Sequence, residues 1–280
     1  MKITFLVDSN TMIDQYYQAE PALSVLVESE QNRILLDTGY SGAFLANARA
    51  LGIDLCDLDW LVLSHGHFDH TWGLPHLIRY YTEERIRGRK VEAPTILAHP
   101  IALEDKISPE LGSIGSFFNK ETLQRFFPVK LSREPMWLTD KILYMGEIPK
   151  QLSFEQGRIK NQRPDEDGTL IPDDIIDDTS LALLTKDGLV LLTGCAHRGV
   201  CSTLARAMEL TGEKRVVDIL GGFHLLNASE TRLRETVRFL TQAGLTRMSP
   251  CHCVDQKAKC VLANAFDLRQ IGSGLSVEWE

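Results

Sequence analysis

The chain has 280 residues, and its net charge of −8 comes from 30 lysines and arginines against 38 aspartates and glutamates. Its composition, 44% hydrophobic and 24% charged, is that of an ordinary globular protein and excludes disordered, collagen-like and coiled-coil classes. The sequence has no stretch of about 18 apolar residues, which excludes a membrane span, and its acidic balance argues against nucleic acid as a partner.

The N-terminal sequence MKITFLVDSN and the six cysteines bear on the cellular compartment. That start lacks the long apolar segment and the small-residue cleavage site of a secretory signal, so no signal peptide is predicted. Six cysteines in a chain of this size without a signal are typical of reduced thiols. We therefore expect a cytoplasmic protein, some of whose thiols are available to bind metal.

Apolar runs and turn residues predict alternating strands and helices in the first hundred residues. The predicted strands are Met1–Val7, Ala22–Glu28, Arg33–Leu36, Leu58–Ser64 and Thr95–His99. The predicted helices are Ser41–Leu51 and Leu74–Arg87. Residues 101–140 are rich in proline, glycine and phenylalanine, and we predict that they form an insertion.

The rest of the chain begins with an acidic segment and then alternates again. Seven acids against one base make residues 161–178 a predicted loop. Strands are predicted at Ser180–Thr185, Leu189–Thr193, Arg215–Leu220 and Leu245–Met248, and helices at Val200–Leu210, Ser229–Ala243 and Lys257–Leu268. Because no repeat or linker interrupts this order, the simplest organisation is one domain over residues 1–280 with mixed strands and helices.

Side chains that bind metals follow the end of an apolar strand five times along the chain. They are His65 with His67, Asp69 and His70; His99; Cys195 with His197; His224; and His252. Loops at the same end of packed strands can bring such side chains together while the sheet holds them rigidly. The recurrence therefore predicts that these side chains serve one site.

The strongest of these signals is the H-x-H-x-D-H segment from His65 to His70. His65 and His67 face the same way in an extended chain, and Asp69 and His70 follow after the chain turns. Neutral imidazole and carboxylate groups suit Zn²⁺ or Fe²⁺. We interpret the segment as a metal-binding loop rather than a polar turn with incidental histidines.

With its flanking residues, Ser64–Thr71 followed by Gly73-Leu74, this segment resembles the signature of the metallo-β-lactamase superfamily, and Leu35–Gly39 resembles that superfamily's early D-T-G segment. Further stretches are similar to a narrower group, the metal-dependent hydrolases related to the archaeal 7,8-dihydropterin-6-methyl-4-(β-D-ribofuranosyl)aminobenzene 5′-phosphate synthase. They are Asp177–Leu181, Thr193–Gly199, Gly221–Leu225 and Pro250–Cys253. The resemblance implies an α/β (α+β) fold, an αββα sandwich of two mixed sheets with helices on the outer faces and the metals at one edge.

The resemblance also implies roles for individual residues. The superfamily's ligand positions fall on His65, His67, Asp69, His70 and His252. The first two of these would bind one metal, and Asp69 and His70 a second. Asp37 would support the histidine loop rather than bind metal.

The chain departs from the superfamily pattern where a third ligand histidine and a metal-bridging aspartate normally stand. Asp178 occupies the first of these positions and Cys195 the second. His197 can replace either, and the choice between Cys195 and His197 stays open. A thiolate ligand would favour a soft or borderline metal such as Zn²⁺ or iron.

Three further polar residues are candidate substrate contacts. His99 precedes Pro100 and is either a substrate contact or a structural loop residue. His224 follows two glycines, which permit close backbone approach to a ligand, and the resemblance gives it contact with the substrate or transition state. Arg198 either meets a phosphate group or is simply exposed.

The remaining aromatic and sulfur-containing residues are predicted to be structural. Phe117, Phe118, Phe126 and Phe127 either stack on a planar ring or form the seam of the insertion, which we favour. Strand alternation turns Cys251 and Cys253 away from His252, so buried thiols are favoured over a C-x-C metal site. Cys56, Cys201 and Cys260 are predicted core thiols, and His76 is predicted to be incidental.

Three functional hypotheses follow. The first is a metal-dependent hydrolase with one or two Zn²⁺ ions, or Fe or Mn in their place, that uses a metal-activated water on a small phosphoester or cyclic phosphate. Asp69 would orient the water, and His224 would stabilise developing charge or protonate the leaving group. The second is a pterin-related synthase or lyase, and the third is a non-catalytic metal-bound sensor. The expected partner is a small molecule, membranes and nucleic acid are not expected, and a homo-oligomer is left open.

Overall fold

The computed structural model describes residues 1–30, 32–157 and 160–280 and divides them into two compact units. The first unit contains Met1–Ser132, the segment that ends at Asp177, and Gly272–Glu278. The second unit contains the segment that begins at Arg133, then Asp178–Ile271 and Trp279–Glu280. The prediction of a single domain over residues 1–280 stays a prediction beside this division.

Strands and short helices alternate through most of the described chain. The strands are β1 Lys2–Val7, β2 Ser24–Glu28, β3 Arg33–Leu36, β4 Trp60–Val62, β5 Thr95–Ala98, β6 Ile107–Ser108, β7 Gly112–Ser113, β8 Val129–Leu131, β9 Met136–Trp137, β10 Ile142–Tyr144, β11 Gln162–Pro164, β12 Leu170–Pro172, β13 Ser180–Leu184, β14 Leu189–Thr193, β15 Val216–Gly222, β16 Arg247–Cys251, β17 Asp267–Leu268 and β18 Ser276–Glu278. The helices are α1 Ala43–Ala50, α2 Phe68–Thr71, α3 Leu74–Ile86, α4 Lys120–Leu123, α5 Val200–Thr211, α6 Glu230–Gln242 and α7 Gln256–Ala263, with 3-10 helices at Pro100–Leu103 and Ser153–Glu155.

The first unit is built on a mixed seven-stranded sheet in the order β18-β1-β2-β3-β4-β5-β8. Strands β18 to β3 pair antiparallel, whereas β3, β4, β5 and β8 run parallel. Leu61 on β4 pairs with Leu35 on one side and Ile96 on the other. These three side chains share a buried core with Phe44 of α1 and Leu77 of α3, so both helices cover this sheet.

The parallel strands of the first unit place several polar residues at one edge. Asp37 follows β3, Ser64 and His65 follow β4, and His99 follows β5. Because the three strands are parallel and in register, their carboxyl ends meet at the same edge of the sheet. In this unit, the polar residues that follow strand ends in the sequence thus lie along one edge of the sheet.

The acidic segment is not the loop that its composition predicts. Strands β11 and β12 within it form an antiparallel hairpin, which pairs through Gln162 with Ile107 of β6 in a small sheet of order β12-β11-β6-β7. The carboxylate of Asp165 accepts the amides of Asp167 and Thr169 and so closes the turn. The loop prediction was wrong here because a run of acids reports on charge but not on backbone pairing.

The second unit carries its own mixed seven-stranded sheet, in the order β17-β16-β15-β14-β13-β10-β9. The predicted hairpin is present as β13 and β14, and β14 to β17 run parallel. Helices α5, α6 and α7 contribute Leu204, Leu233 and Leu262 to a core shared with Leu191 and Ile219 of the sheet. The parallel ends of β14, β15 and β16 again meet at one edge, followed by Cys195, His224 and His252.

The predicted strands and helices are present apart from one C-terminal error. The helix predicted over Lys257–Leu268 ends at Ala263, and Asp267–Leu268 instead pairs with β16 as β17. In the part of the chain that the structure describes, no helix is both long and apolar enough to cross a membrane.

Candidate functional site

The histidine loop, His65–His70, leaves the end of β4 and turns into the short helix α2. His67 precedes that helix with extended backbone angles. Nε2 of His65 lies 3.0 Å from Nδ1 of His67, and the ring centroids of His65 and His70 are 4.2 Å apart. All three rings are buried, and Oδ2 of the partly exposed Asp69 is 3.6 Å from Nε2 of His70. The loop thus gathers four potential ligands within one unit.

Burial also sets the protonation state of His67. It lowers the pKa of His67 to about 4, because desolvation of the imidazolium outweighs the opposing attraction of Asp69. His67 is therefore a neutral imidazole at neutral pH, which is the form that binds metal. A donor set of three imidazoles and a carboxylate fits Zn²⁺ or Fe²⁺. The assignment of these residues as ligands stays a prediction.

Asp37 fixes the orientation of this loop through hydrogen bonds to Ser64 and His70. Its Oδ2 accepts hydrogen bonds from Nδ1 of His70 and from the Ser64 hydroxyl, each 2.7 Å long. Its Oδ1 accepts the Ser64 amide at 2.7 Å. A carboxylate that holds one imidazole nitrogen leaves the other nitrogen to bind metal. These contacts are the ones that the implied supporting role of Asp37 requires.

A buried ion triad, Lys106–Asp173–Asp177, also contacts the histidine loop. Nζ of Lys106 lies 3.1 Å from Oδ2 of Asp173 and 3.1 Å from Oδ1 of Asp177, and the three side chains are fully buried. The second oxygen of Asp177 accepts a hydrogen bond from the Gly66 amide at 2.8 Å. Gly66 stands between His65 and His67 in the sequence. The acidic segment is thereby tied to the histidine loop.

Mutual attraction within the triad keeps its members charged despite their burial. Burial disfavours the ionised form of Asp177, but Lys106, His67 and the Gly66 amide outweigh it and hold its pKa below the ordinary value. Burial also lowers the pKa of Lys106, and the two carboxylates outweigh this and raise it. The acidic composition of residues 165–178 was the only signal of this segment in the sequence. It did not indicate that Asp173 and Asp177 are buried.

An exposed aromatic cluster lies beside the histidine loop in the first unit. The Trp72 ring stacks on Phe117 with centroids 4.2 Å apart, and it also contacts Tyr40 and Phe68. Phe117 is 60% exposed, so the prediction that it lies in the seam of the insertion was wrong. That prediction is confirmed for Phe127, which is buried in the core, whereas Phe126 is 41% exposed and Phe118 packs partly buried.

The second unit gathers sulfur and imidazole groups at the ends of β14, β15 and β16. Sγ of Cys195 lies 3.3 Å from Sγ of Cys253, and the His224 amide donates to that second sulfur at 3.2 Å. Donor atoms of Cys195, His224 and Cys253 all lie within 4.8 Å of one another. The prediction that Cys253 is only a buried core thiol was therefore wrong, because it is partly exposed and belongs to this cluster.

The surroundings of Cys253 favour its thiolate form. Burial alone would raise its pKa, but hydrogen bonds from Cys195 and His224 and the nearby imidazole of His252 hold the pKa well below that of an ordinary cysteine. A thiolate is the form of cysteine that binds metal. The donor set of this cluster therefore fits a thiophilic cation.

Other predicted site residues of the second unit have defined neighbours. The His197 ring lies 4.2 Å from the His224 ring, between centroids. Asp178 accepts the amide of Arg198 at 2.9 Å, and the Arg198 guanidinium donates to the carbonyl of Ile148 at 2.8 Å. Arg198 is buried, so its interpretation as a simply exposed residue was wrong. A metal role for Asp178 or His197 and a phosphate contact for Arg198 stay predictions.

The two glycines before His224 serve a different purpose from the predicted approach to a ligand. A Cβ atom on Gly221 would lie 2.1 Å from the Thr193 carbonyl oxygen, and one on Gly222 would lie 2.4 Å from the Gly194 carbonyl oxygen. Both glycines therefore make room for the neighbouring β14 strand. That close approach brings the end of β15 against the start of the Cys195 loop.

Histidine and cysteine residues outside these clusters are mostly structural. His99 is buried, and its Nδ1 accepts the Ile101 amide at 3.3 Å, which caps the 3-10 helix and favours the structural alternative. His76 is exposed on α3, as predicted. All six cysteines are free thiols; Cys56 and Cys201 are buried as predicted, but Cys260 is exposed on α7, so its core assignment was wrong.

A surface cavity of about 610 Å³ in the first unit has no part in this chemistry. Residues of α1 and α3 and of the loop between Gly52 and Leu55 line it, and among the described residues its lining includes none of the histidine loop. Its mixed charges, with Arg49, Arg79 and Glu83 on its walls, are those of an ordinary solvated groove.

Comparison with known proteins indicates which family the chain resembles. The sequence model of the metallo-β-lactamase superfamily matches residues 17–147. A solved structure described as a metal-dependent hydrolase of the β-lactamase superfamily superposes with a TM-score of 0.84 at 28% identity, covering 99% of this chain and 98% of that one. The chain thus resembles the metallo-β-lactamase superfamily in sequence and in fold. Its predicted fold class is thereby confirmed.

Two further proteins are similar to this chain over its whole length. The 7,8-dihydropterin-6-methyl-4-(β-D-ribofuranosyl)-aminobenzene-5′-phosphate synthase of Methanocaldococcus jannaschii is 28% identical over 100% of this chain and 97% of its own length. The resemblance to that group is also confirmed. A crystal structure of a diphosphatase from the PhnP family superposes with a TM-score of 0.52 at 15% identity over 100% of this chain and 98% of that one, which shows a shared fold alone.

Proposed function

We propose that this protein is a metal-dependent hydrolase that acts on a small phosphoester or cyclic phosphate. The observation that carries the proposal is the set of buried, closely spaced imidazoles of His65, His67 and His70 beside the carboxylate of Asp69. Such a set costs free energy to bury and has a clear use only as a ligand set. The superfamily typically binds metal ions, which fits these donors.

Each unit has its own candidate metal ligands. His65, His67, Asp69 and His70 are the ligands of the first unit, and His252 with Cys195 or His197 are those of the second. Asp178 is the weakest candidate, because one of its carboxylate oxygens already accepts the Arg198 amide. Zn²⁺ is the first choice for one or two ions, with Fe and Mn as the alternatives; a bound ion of this kind supplies Lewis acidity and lowers the pKa of a water.

The catalytic roles fall to Asp69 and His224. Asp69 is the partly exposed member of the histidine loop, so its carboxylate is accessible to orient an attacking water. His224 is also partly exposed, and its Nδ1 is buried and makes no hydrogen bond among the described residues. A ring nitrogen without a fixed partner remains available to stabilise developing charge or to protonate a leaving group.

The aromatic cluster supports a substrate that carries a planar ring. Trp72, two residues after the histidine loop, and the exposed Phe117 present a stacked aromatic surface. Exposed aromatic faces of this kind bind rings by stacking, with about 0.5 to 1.5 kcal/mol for each pair. A ring-bearing phosphoester is therefore the substrate class that these residues favour.

Truncation of Phe117 tests this assignment. Phe117→Ala is expected to raise KM for a ring-bearing phosphodiester by about two- to tenfold with little change in kcat, because one stacking contact is lost. The measurement is steady-state kinetics of the variant with ring-bearing and aliphatic phosphodiesters. Phe126→Ala, which removes another exposed phenylalanine of the same segment, is the control and is expected to leave both constants unchanged. Equal effects of the two variants would contradict the assignment.

A second candidate function is a pterin-related synthase or lyase. It is supported by the 28% identity to the methanopterin-type synthase over the whole chain. The test is an assay of the metal-loaded protein with dihydropterin pyrophosphate beside generic phosphodiesters, before and after treatment with a chelator. Chelator-sensitive hydrolysis of phosphodiesters supports the hydrolase, and conversion of the pterin substrate alone supports the synthase. Stoichiometric metal with turnover of neither would favour a metal-bound sensor.

A further inference from the structure

The second unit contains a group of metal donors that is complete without the histidine loop. Thr193 of β14 pairs with Gly221 of β15, and Gly222 pairs with Cys251 of β16, so the three strand ends are level with one another. Cys195, His224 and Cys253 each follow the end of their strand by two residues. Three donors from three adjacent parallel strands are therefore held on a rigid scaffold rather than on mobile loops.

The spacing of the three donors suits a single ion. Two sulfurs on one tetrahedral zinc, each at about 2.3 Å from the ion, lie about 3.8 Å apart. The sulfurs of Cys195 and Cys253 are 3.3 Å apart, and the imidazole donor of His224 lies within 4.8 Å of both. An adjustment of a few tenths of an ångström therefore converts this contact into a ligand pair.

Backbone groups around Cys253 match the environment of a metal-bound thiolate. The His224 amide donates to Sγ of Cys253 at 3.2 Å, as amides do to thiolate ligands in metal sites. A Cβ atom on Gly222 would lie 2.8 Å from the same sulfur, so the glycine leaves space for it. Both Cys253 and His224 are partly exposed, which leaves a route for a cation to enter.

We propose that Cys195, His224 and Cys253 together bind one thiophilic divalent cation, Zn²⁺ in the first place. Two thiolates and one imidazole are a known ligand set of zinc that leaves a fourth position open. One ring nitrogen of His224 is enough for the cation, and the other remains free for a substrate contact. The proposal needs residues of the second unit alone, so it does not rest on the hydrolase assignment. Of the two candidate ligands Cys195 and His197, it assigns Cys195 to this cation.

Cobalt substitution of the full-length protein tests the site. Co²⁺ bound by thiolates gives a charge-transfer absorption in the near ultraviolet, which imidazole and carboxylate ligands do not give. Cys253→Ser is expected to lose about half of that absorption, since one of two thiolates is removed, and the double variant with Cys195→Ser all of it. Cys260→Ser, which removes an exposed thiol of the same unit, is the matched control and should keep it.

A second measurement covers the case in which Cys253→Ser fails to fold. Wild-type protein is alkylated with iodoacetamide in the presence of Zn²⁺ or of a chelator, and each cysteine is followed by mass spectrometry. Zn²⁺ is expected to protect Cys253 while Cys260 reacts equally in both conditions. His67→Ala should keep this protection even where turnover is lost, which separates this site from the histidine loop. Equal alkylation of Cys253 in both conditions, or cobalt binding without thiolate absorption, would overturn the proposal.

Discussion

Replacement of His67 by alanine is expected to lower metal affinity by more than about a hundredfold and to abolish turnover. Loss of a residue that only supports a metal ligand already costs about ten- to a hundredfold, and loss of the ligand itself costs more. His67 is one of three buried imidazoles within the loop, and neither neighbouring histidine can take its place, because Asp37 holds the His70 ring and Ser64 contacts the His65 ring. The measurement is elemental analysis of the purified variant together with its activity.

The matched control for this variant is His76→Ala, which removes an exposed imidazole of the same unit on α3. It is expected to leave metal content and activity unchanged. Because the pKa of His67 is about 4, protons compete with metal for this ring only in acid, so wild-type protein should release metal as the pH falls towards 4. Unchanged metal content in His67→Ala would remove the histidine loop from the site.

Replacement of Lys106 by methionine is expected to lower the free energy of unfolding by about 3 to 5 kcal/mol. Methionine fills a similar volume but leaves the carboxylates of Asp173 and Asp177 buried without a counter-charge. The measurement is equilibrium unfolding in urea at pH 7. Lys90→Met, which breaks an exposed ion pair with Glu92, is the control and should leave the stability nearly unchanged.

The pH dependence of this effect has a definite sign. In the wild type the pKa of Asp177 lies below its ordinary value, so its contribution is present above pH about 4, the unfolded value, and is lost as the pH falls through the folded value. In Lys106→Met the same carboxylate is protonated at higher pH, because only burial then acts on it. The stability difference between the two proteins should therefore narrow in acid. A difference that is independent of pH, or no larger than that of Lys90→Met, would show that the triad carries no net charge interaction.

Features that depend on residues close together in the sequence could be predicted from it. Apolar runs predicted β3, β4 and β14, and the dense motif from His65 to His70 predicted a loop that the structure shows with buried, adjacent rings. The ion triad could not be predicted in this way, since Lys106 meets its partners 67 and 71 residues further along the chain. No local pattern reports a contact of that range.

The prediction that Cys253 is a buried thiol was wrong because of a local backbone conformation that the sequence pattern does not indicate. Strand alternation requires an extended chain from Cys251 to Cys253, in which both side chains face away from His252. His252 instead adopts a left-handed conformation with φ of 53°, which is uncommon for a residue other than glycine. The alternation ends there, so Cys251 remains buried in the sheet while Cys253 reaches Cys195.

The hydrogen bond from the Gly66 amide to Asp177 has a consequence for how the proposed metal would bind. Together with Asp37 it fixes the backbone and rings of the histidine loop through contacts that involve no ion. A ligand set that is already ordered loses little conformational entropy when the ion binds, so little of the binding free energy is spent on ordering. Small zinc domains, in contrast, fold only when the metal arrives. If the proposed metal site is correct, we expect the chain to fold first and to bind its ion afterwards, so that the supply of metal would limit activity rather than folding.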